Sequence, residues 1–163
     1  QANILAKELI SDTSLAWTTA TSGTFTLTLD VNGLTEINDR FGHETGDLVL
    51  KRVANAVRLR LRITDHFFRS GGDEFVVIAT DCDGDAAQEM ATELRTLVSE
   101  LGLTDQHGQI PTSITIGISS LTGKDQKPDT LLARSDAALR AARKQATSGI
   151  ATEQDIPRPQ ERG

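Results

Sequence analysis

Asp73 and Glu74 follow a pair of glycines, Gly71 and Gly72, and run straight into the apolar stretch Phe75-Val76-Val77-Ile78-Ala79. Two small residues and two carboxylates between strand-like segments are the materials of a β-hairpin, in which glycine accepts the positive backbone angles of a tight turn. Glycine also lets a bulky ligand approach the backbone, and an adjoining acidic pair can hold a divalent cation against that ligand. The chemistry such residues suit is that of a metal-bound phosphate ester. A solvated hairpin of Gly, Asp and Glu is an equally simple alternative, and the surrounding sequence has to decide between them.

The elements that must position this bend are visible as periodicities. Thr24-Phe25-Thr26-Leu27-Thr28-Leu29 alternates strictly and stops at Asp30-Val31-Asn32-Gly33, a strand ending in a carboxylate. Leu34–Phe41 fits a short helix, and a longer one starts at Thr45 with the stripe Leu50, Val53, Val57 and Leu61. The hairpin spans residues 67–79. Residues 85–101 repeat the helical pattern with Met90, Leu94, Leu97 and Leu101, the methionine serving as core filler. Ile114, Ile116 and Ile118 mark another strand, and Asp129 after Pro128 caps a helix that turns Leu132, Ser135, Leu139 and Ala142 inward. Ile4, Leu5, Leu9, Ile10 and Trp17 give a helical pattern over residues 4–19. The expected fold is α/β (α+β), a mixed sheet layered by helices. Residues 1–147 are expected to form a single domain, and 148–163, which lose periodicity and gain prolines, a disordered tail.

Composition narrows the partners. A chain of 163 residues can bury a good core, and its net charge of −6 argues against a general nucleic-acid or anionic-membrane surface. Any anionic ligand must then be met by local cations or by metal. Cys82 is the only cysteine, no apolar run reaches membrane-spanning length, and no signal-peptide pattern opens the sequence. A cytoplasmic domain, or the cytoplasmic output domain of a larger protein, is expected, without a nucleic-acid polymer or direct membrane contact.

The segment Gly71-Gly72-Asp73-Glu74-Phe75 resembles, letter for letter, the signature of GGDEF domains, the diguanylate cyclases. The resemblance extends upstream through Asp30, Ile37-Asn38-Asp39 and Gly42-His43-Glu44-Thr45-Gly46-Asp47, and downstream through Ser113-Ile114-Thr115-Ile116-Gly117 and Ser135-Asp136-Ala137-Ala138-Leu139, from about residue 27 to residue 146. It implies a nucleotide-cyclase or polymerase-palm-like fold with the hairpin at the active site. It also implies condensation of two GTP into cyclic di-GMP at a homodimer interface, with Mg²⁺ as cofactor and Mn²⁺ as its substitute.

By position, the resemblance implies Asp30, the Val31 carbonyl and Asp73 as metal ligands, with Asp73 and the second hairpin acid Glu74 as catalytic residues. It implies a substrate pocket of Leu34, Asn38, His43, Asp47, Gly71, Gly72 and Arg143, where Asn38 and Asp47 read guanine. Helix capping is the structural alternative for Asn38 and Asp47, and a local hydrogen bond that for His43. Arg62 and Asp65 stand where many members carry an Arg-x-x-Asp product-inhibition site, with Arg95 as an additional contact; Arg58, Arg60 and Arg62 otherwise read as a solvated helix face.

The sequence also departs from the family pattern. Thr35 and Thr147 stand where cations that meet phosphate are common, Arg143 replaces a lysine, and Asn32 replaces a frequent acid. A catalytically weak or inactive domain that serves as a receptor for GTP or cyclic di-GMP is therefore the alternative function. Asp81-Cys82-Asp83-Gly84-Asp85 invites a calcium-loop reading, but its glycine comes too early and Thr92 takes the place of the closing acid.

Overall fold

Alternation in the first strand places Leu27, Leu29 and Val31 on one side and Thr26, Thr28 and Asp30 on the other, and this split organises the molecule. A computed structural model describes residues 23–120, 128–144 and 149–155. In it β1 (Phe25–Val31) is central, antiparallel to β3 (Glu74–Ala79) and to β6 (Ile114–Ser120). β2 (His66–Arg69) lies outside β3, and β7 (Ile150–Thr152) pairs parallel with β6, giving the order β2-β3-β1-β6-β7. β4 (Thr104–Asp105) and β5 (Gly108–Gln109) form a separate small hairpin. The helical pattern expected over residues 4–19 lies outside the described residues.

The expected strands and helices appear with small shifts. α1 (Leu34–Phe41) matches its expected bounds, while α2 (His43–Arg60) starts two residues earlier than Thr45. The two helices meet at Gly42, whose φ of 97° lies where side-chain-bearing residues are strained; glycine permits the corner. α3 (Gly84–Ser99) buries Ala87, Met90, Ala91, Leu94 and Val98: Met90 and Leu94 lie inward as expected, and Val98 takes the place expected of Leu97. Leu97 is left exposed because the buried arc follows the i, i+3, i+4 progression from Ala87. Asp83 caps this helix by accepting a hydrogen bond from the Ala86 N–H at 2.8 Å, which gives the acidic loop a structural role. α4 (Pro128–Lys144) carries Ser135, Leu139 and Ala142 into the interior as expected.

The expectation for the C-terminal residues needs correction. The tail expected to be disordered from residue 148 supplies β7 and the short 3-10 turn Glu153–Asp155, and Ala151 is buried. Three residues are too few to show a period, so the strand owes its existence to the free edge of β6 rather than to its own pattern.

α2 and α3 cover the apolar side of the sheet. Val49, Val53, Val57, Met90, Leu94 and Val98 join Leu27, Leu29, Phe75, Val77, Ile114, Ile116 and Ile118 in one continuous core. α4 covers the other side and is seated by close approach: a Cβ on Gly117 would come within 2.2 Å of the Leu139 backbone nitrogen. Thr28 and Ser135 share a buried hydroxyl–hydroxyl hydrogen bond beneath it. Among the described residues, no helix is long and apolar enough to cross a membrane.

Candidate active site

Asp30 closes the polar row of β1 and is 5% exposed. Its register partner across the β1–β3 ladder is Glu74, and the Val31 N–H donates to the Asp73 carbonyl at 3.0 Å, so the acids of the first strand and of the hairpin meet at one end of the sheet. The Asp30 Oδ2 accepts from the Arg143 guanidinium of α4, whereas its Oδ1 is buried without a partner among the described residues. Burial, followed by the neighbouring carboxylates of Asp136 and Asp73, pushes the Glu74 carboxyl up to about 7. Acids crowded until one of them holds its proton form an environment that a multivalent cation relieves.

The hairpin is held differently from the tight turn expected of it. Residues 70–73 connect β2 to β3, with the Ser70 N–H donating to the Glu74 carbonyl at 3.0 Å. Arg69 reaches over the bend, its Nε donating to the carbonyls of Gly71 at 3.0 Å and Gly72 at 3.1 Å. Neither of these glycines has a positive φ. A Cβ on Gly72 would meet nothing within 4 Å, and one on Gly71 only the Glu74 Cβ at 3.9 Å. The expectation that these glycines supply turn angles is thus overturned: neither has a positive φ, and a Cβ at either would meet no close neighbour among the described residues.

Asn38 and Asp47 lie on the two helices that meet at the Gly42 corner. Asn38 lies inside α1 and Asp47 in the second turn of α2, so neither side chain caps a helix. The Asn38 amide sits on Gly46, where a Cβ would fall 1.7 Å from the Asn38 Oδ1. Gly46 therefore makes room for the amide against α2. Leu34 opens α1 and packs half-buried on the core. Asp47, Leu50, Lys51, Arg69 and Phe75 help line a cleft of about 590 Å³ between α2 and the hairpin. His43 instead faces a cleft of about 480 Å³ with Phe41, Asp105 and Gln106, so the structure places it on a different cleft from Asp47.

Arg62 and Asp65 form a closed pair. Asp65 accepts from the Arg62 Nη2 at 3.1 Å and from the Arg62 backbone N–H at 2.9 Å, and Arg62 also donates to the Thr80 carbonyl. The Asp65 carboxylate is fully covered by these contacts. Arg60 pairs with Glu93 of α3, and Arg58 lies over the Phe67 ring. Arg95 donates to the Ile114 carbonyl at 3.2 Å and packs against Gly149, a position that ties α3 to the start of β6.

Several partners escape a reading of the sequence. Asp136, Arg69 and Gly46 stand in or beside quoted motifs, yet no periodicity says that Asp136 meets Glu74 or that Gly46 underlies Asn38. Asn32 is explained by neighbours far along the chain: it donates to the Ser113 Oγ at 3.0 Å and accepts from the Thr115 Oγ1 at 2.8 Å. A carboxylate there has no proton to donate to Ser113.

Donor chemistry fits a hard divalent cation. Asp30 offers an unpartnered buried oxygen, with Asp73 and Glu74 adjoining. Among the described residues no three acidic, imidazole or thiol side chains already converge as a metal cage. Such a site suits a small divalent cation that takes one or two carboxylates and completes its shell with water or other oxygen ligands.

Comparison with known proteins places this arrangement. A profile described as diguanylate cyclase, GGDEF domain, matches residues 3–148. The diguanylate cyclase DosC of Escherichia coli is 32% identical over 125 residues, covering 76% of this chain and 27% of DosC. The response regulator PleD of Caulobacter vibrioides is 34% identical over 126 residues, covering 76% of this chain and 28% of PleD. The chain thus spans little more than a quarter of the length of these relatives. Among solved structures, the isolated GGDEF domain of YfiN (TpbB) from Pseudomonas aeruginosa superposes with a TM-score of 0.84 at 29% identity, over 92% of this chain and 88% of that one. The GGDEF domain of DgcB from Caulobacter crescentus, solved in complex with c-di-GMP, shares the fold with a TM-score of 0.79 at 20% identity, over 93% of this chain and 88% of that one. Signature, strand order and profile match agree, and the chain belongs to the GGDEF diguanylate cyclase family.

Proposed function

We propose that this domain is a diguanylate cyclase that condenses two GTP molecules into cyclic di-GMP with release of pyrophosphate, each domain of a homodimer presenting its GTP to the other. The observation that carries this reading is the buried, unpartnered Asp30 Oδ1 beside the hairpin acids. Asp30, the Val31 carbonyl and Asp73 would hold Mg²⁺ or Mn²⁺, which on binding neutralises the triphosphate and makes the attacking 3′-hydroxyl more acidic. The chain's own residues do the positioning. Asn38 and Asp47 accept and donate to the guanine edge, a pattern that adenine leaves unpaired. Gly71 and Gly72 let the phosphates lie against the hairpin backbone, and Arg143 meets their charge. Leu34 supports the base from the core side; His43 faces a separate cleft and takes no part in this pocket. Glu74, the second hairpin acid, would act beside Asp73 as a carboxylate facing the cation and the attacking 3′-hydroxyl.

Incubation of the domain with GTP and Mg²⁺ is expected to yield cyclic di-GMP by mass spectrometry, and Asp73→Ala to abolish it. No product from folded protein at high concentration rejects the proposal. The exposed, uncharged Thr35 in the first turn of α1 favours the second reading, a non-catalytic receptor for GTP or cyclic di-GMP. Turnover that disappears with Asp73→Ala rules that reading out. Product inhibition through Arg62 and Asp65 belongs to the same proposal, and it requires their closed pair to open or share its donors with the product. Added cyclic di-GMP should then slow the parent and leave Arg62→Ala unaffected. The relatives' greater length supports a setting as the cytoplasmic output domain of a larger protein.

A further inference from the structure

A carboxylate as buried as Asp30 needs a counter-charge or it takes up a proton. Among the described residues the counter-charge it meets is Arg143, on the last turn of α4 and 113 positions away in sequence. The Arg143 side chain is 47% exposed, so the guanidinium reaches into the site from solvent and is not walled in. Arg140, one turn earlier, pairs with Asp136 at 3.7 Å and is not a replacement. The Oδ2 that Arg143 occupies belongs to the carboxylate whose other oxygen stands unpartnered. A divalent cation bound there shares a single carboxylate with a guanidinium, and two cations that close repel.

We propose that Arg143 is a tethered counter-ion: it neutralises Asp30 in the metal-free domain and gives way to a divalent cation, which frees the guanidinium for nucleotide phosphates. Arg143 is in this role a positioning residue, and the inference rests on Asp30 being a metal ligand. Exchange explains how a buried acid is tolerated before metal arrives. It also couples metal to phosphate, because the planar fork released from a carboxylate is shaped equally well for a phosphate. The affinity of the nucleotide-free domain for a divalent cation is lowered by the contact that holds Arg143 on Asp30.

Titration of the whole chain with Mn²⁺ alone, without nucleotide, tests the exchange independently of turnover. Arg143→Gln is expected to melt at a lower temperature than the parent in metal-free buffer and to bind Mn²⁺ about tenfold more tightly, the factor that corresponds to losing one charged competitor. Arg143→Lys keeps the charge and is expected to stay near the parent in both readings. When Asp30→Asn is introduced into both the parent and Arg143→Gln, the stability difference between them should vanish. If Arg143→Gln fails to fold without metal, Mn²⁺ is expected to restore it. Mn²⁺ affinity in Arg143→Gln equal to or weaker than in the parent overturns the proposal, as does tightening in Arg143→Lys as large as in Arg143→Gln, failure of Mn²⁺ to rescue an unfolded variant, or absence of Mn²⁺ binding throughout. A parent that competes Mn²⁺ in this way yet makes no cyclic di-GMP rejects the cyclase reading alone.

Discussion

The two faces of the sheet are built on different physics. One face is dry and apolar: Leu27, Leu29 and Val31 of β1 align with Phe75 and Val77 of β3 and with Ile114, Ile116 and Ile118 of β6 beneath α2 and α3. The opposite face buries Thr26, Thr28, Asp30, Thr115 and Ser119, with smaller apolar clusters around Val76, Ile78 and Ala142. Burying Leu29 alone contributes roughly 1.5–3 kcal/mol, whereas each hydroxyl on the other face needs a partner merely to break even. The apolar face holds the fold, and the polar face carries the acids. The helix over the polar face is seated by backbone approach and hydrogen bonds, which fix orientation more sharply than apolar contact does.

Substitutions that sharpen this contrast should differ in size and in what they disturb. Leu29→Ala leaves a cavity under α2 and α3 and is expected to cost about 2–5 kcal/mol in urea unfolding. Gly117→Ala pushes into the α4 backbone, where the first contact would be 2.2 Å, and is expected to cost about 1–3 kcal/mol. Its larger consequence is functional, because a displaced α4 carries Asp136 and Arg143 away from Glu74 and Asp30. A Gly117→Ala domain with parental stability and turnover would show that α4 is not seated in this way.

A subtler break comes from pH. The Glu74 carboxyl is raised from 4.5 to about 7, so the folded protein holds this proton more tightly than the unfolded chain. Its stabilising contribution is fully present below pH 4.5 and lost as pH rises through about 7. Metal-free melting temperatures should carry this downward trend, and a saturating divalent cation should flatten it by giving the ionised carboxylates a partner. A Glu74→Gln variant lacks the titrating group, and its metal-free profile should lose the same component. The smallest change in stability belongs to Gly72→Ala, expected within about 0.5 kcal/mol of the parent because its Cβ points into open space. If a phosphate lies against that bend, the same variant should nevertheless bind GTP weakly, which equilibrium dialysis would measure.

Legibility followed the same division between faces. Period-two alternation revealed β1 and β6, and the helical stripes revealed α2 and α3, because apolar side chains must all find one core. β7 was not legible, since its three residues take their conformation from the open edge of β6. At the site, the signature pointed to Asp30, Asp73 and Glu74, which the structure brings to one end of the sheet, and to Asn38 and Asp47, whose proposed role is to read guanine. It could not say that Gly71 and Gly72 avoid positive φ, that His43 faces a different cleft, or that Arg62 already holds Asp65.

What the chain alone determined is which groups are available and in what order: carboxylates at a strand end and at a bend, an amide before a corner, an arginine in the last turn of a helix. Which of these touch was decided by tertiary structure. Arg143 reaches Asp30 because Gly117 lets α4 lie flat on β6, and the Asn38 amide rests against α2 because Gly46 has no side chain. Contacts between residues more than a hundred positions apart depend on how closely two backbones approach, and no local pattern of residue types encodes that distance.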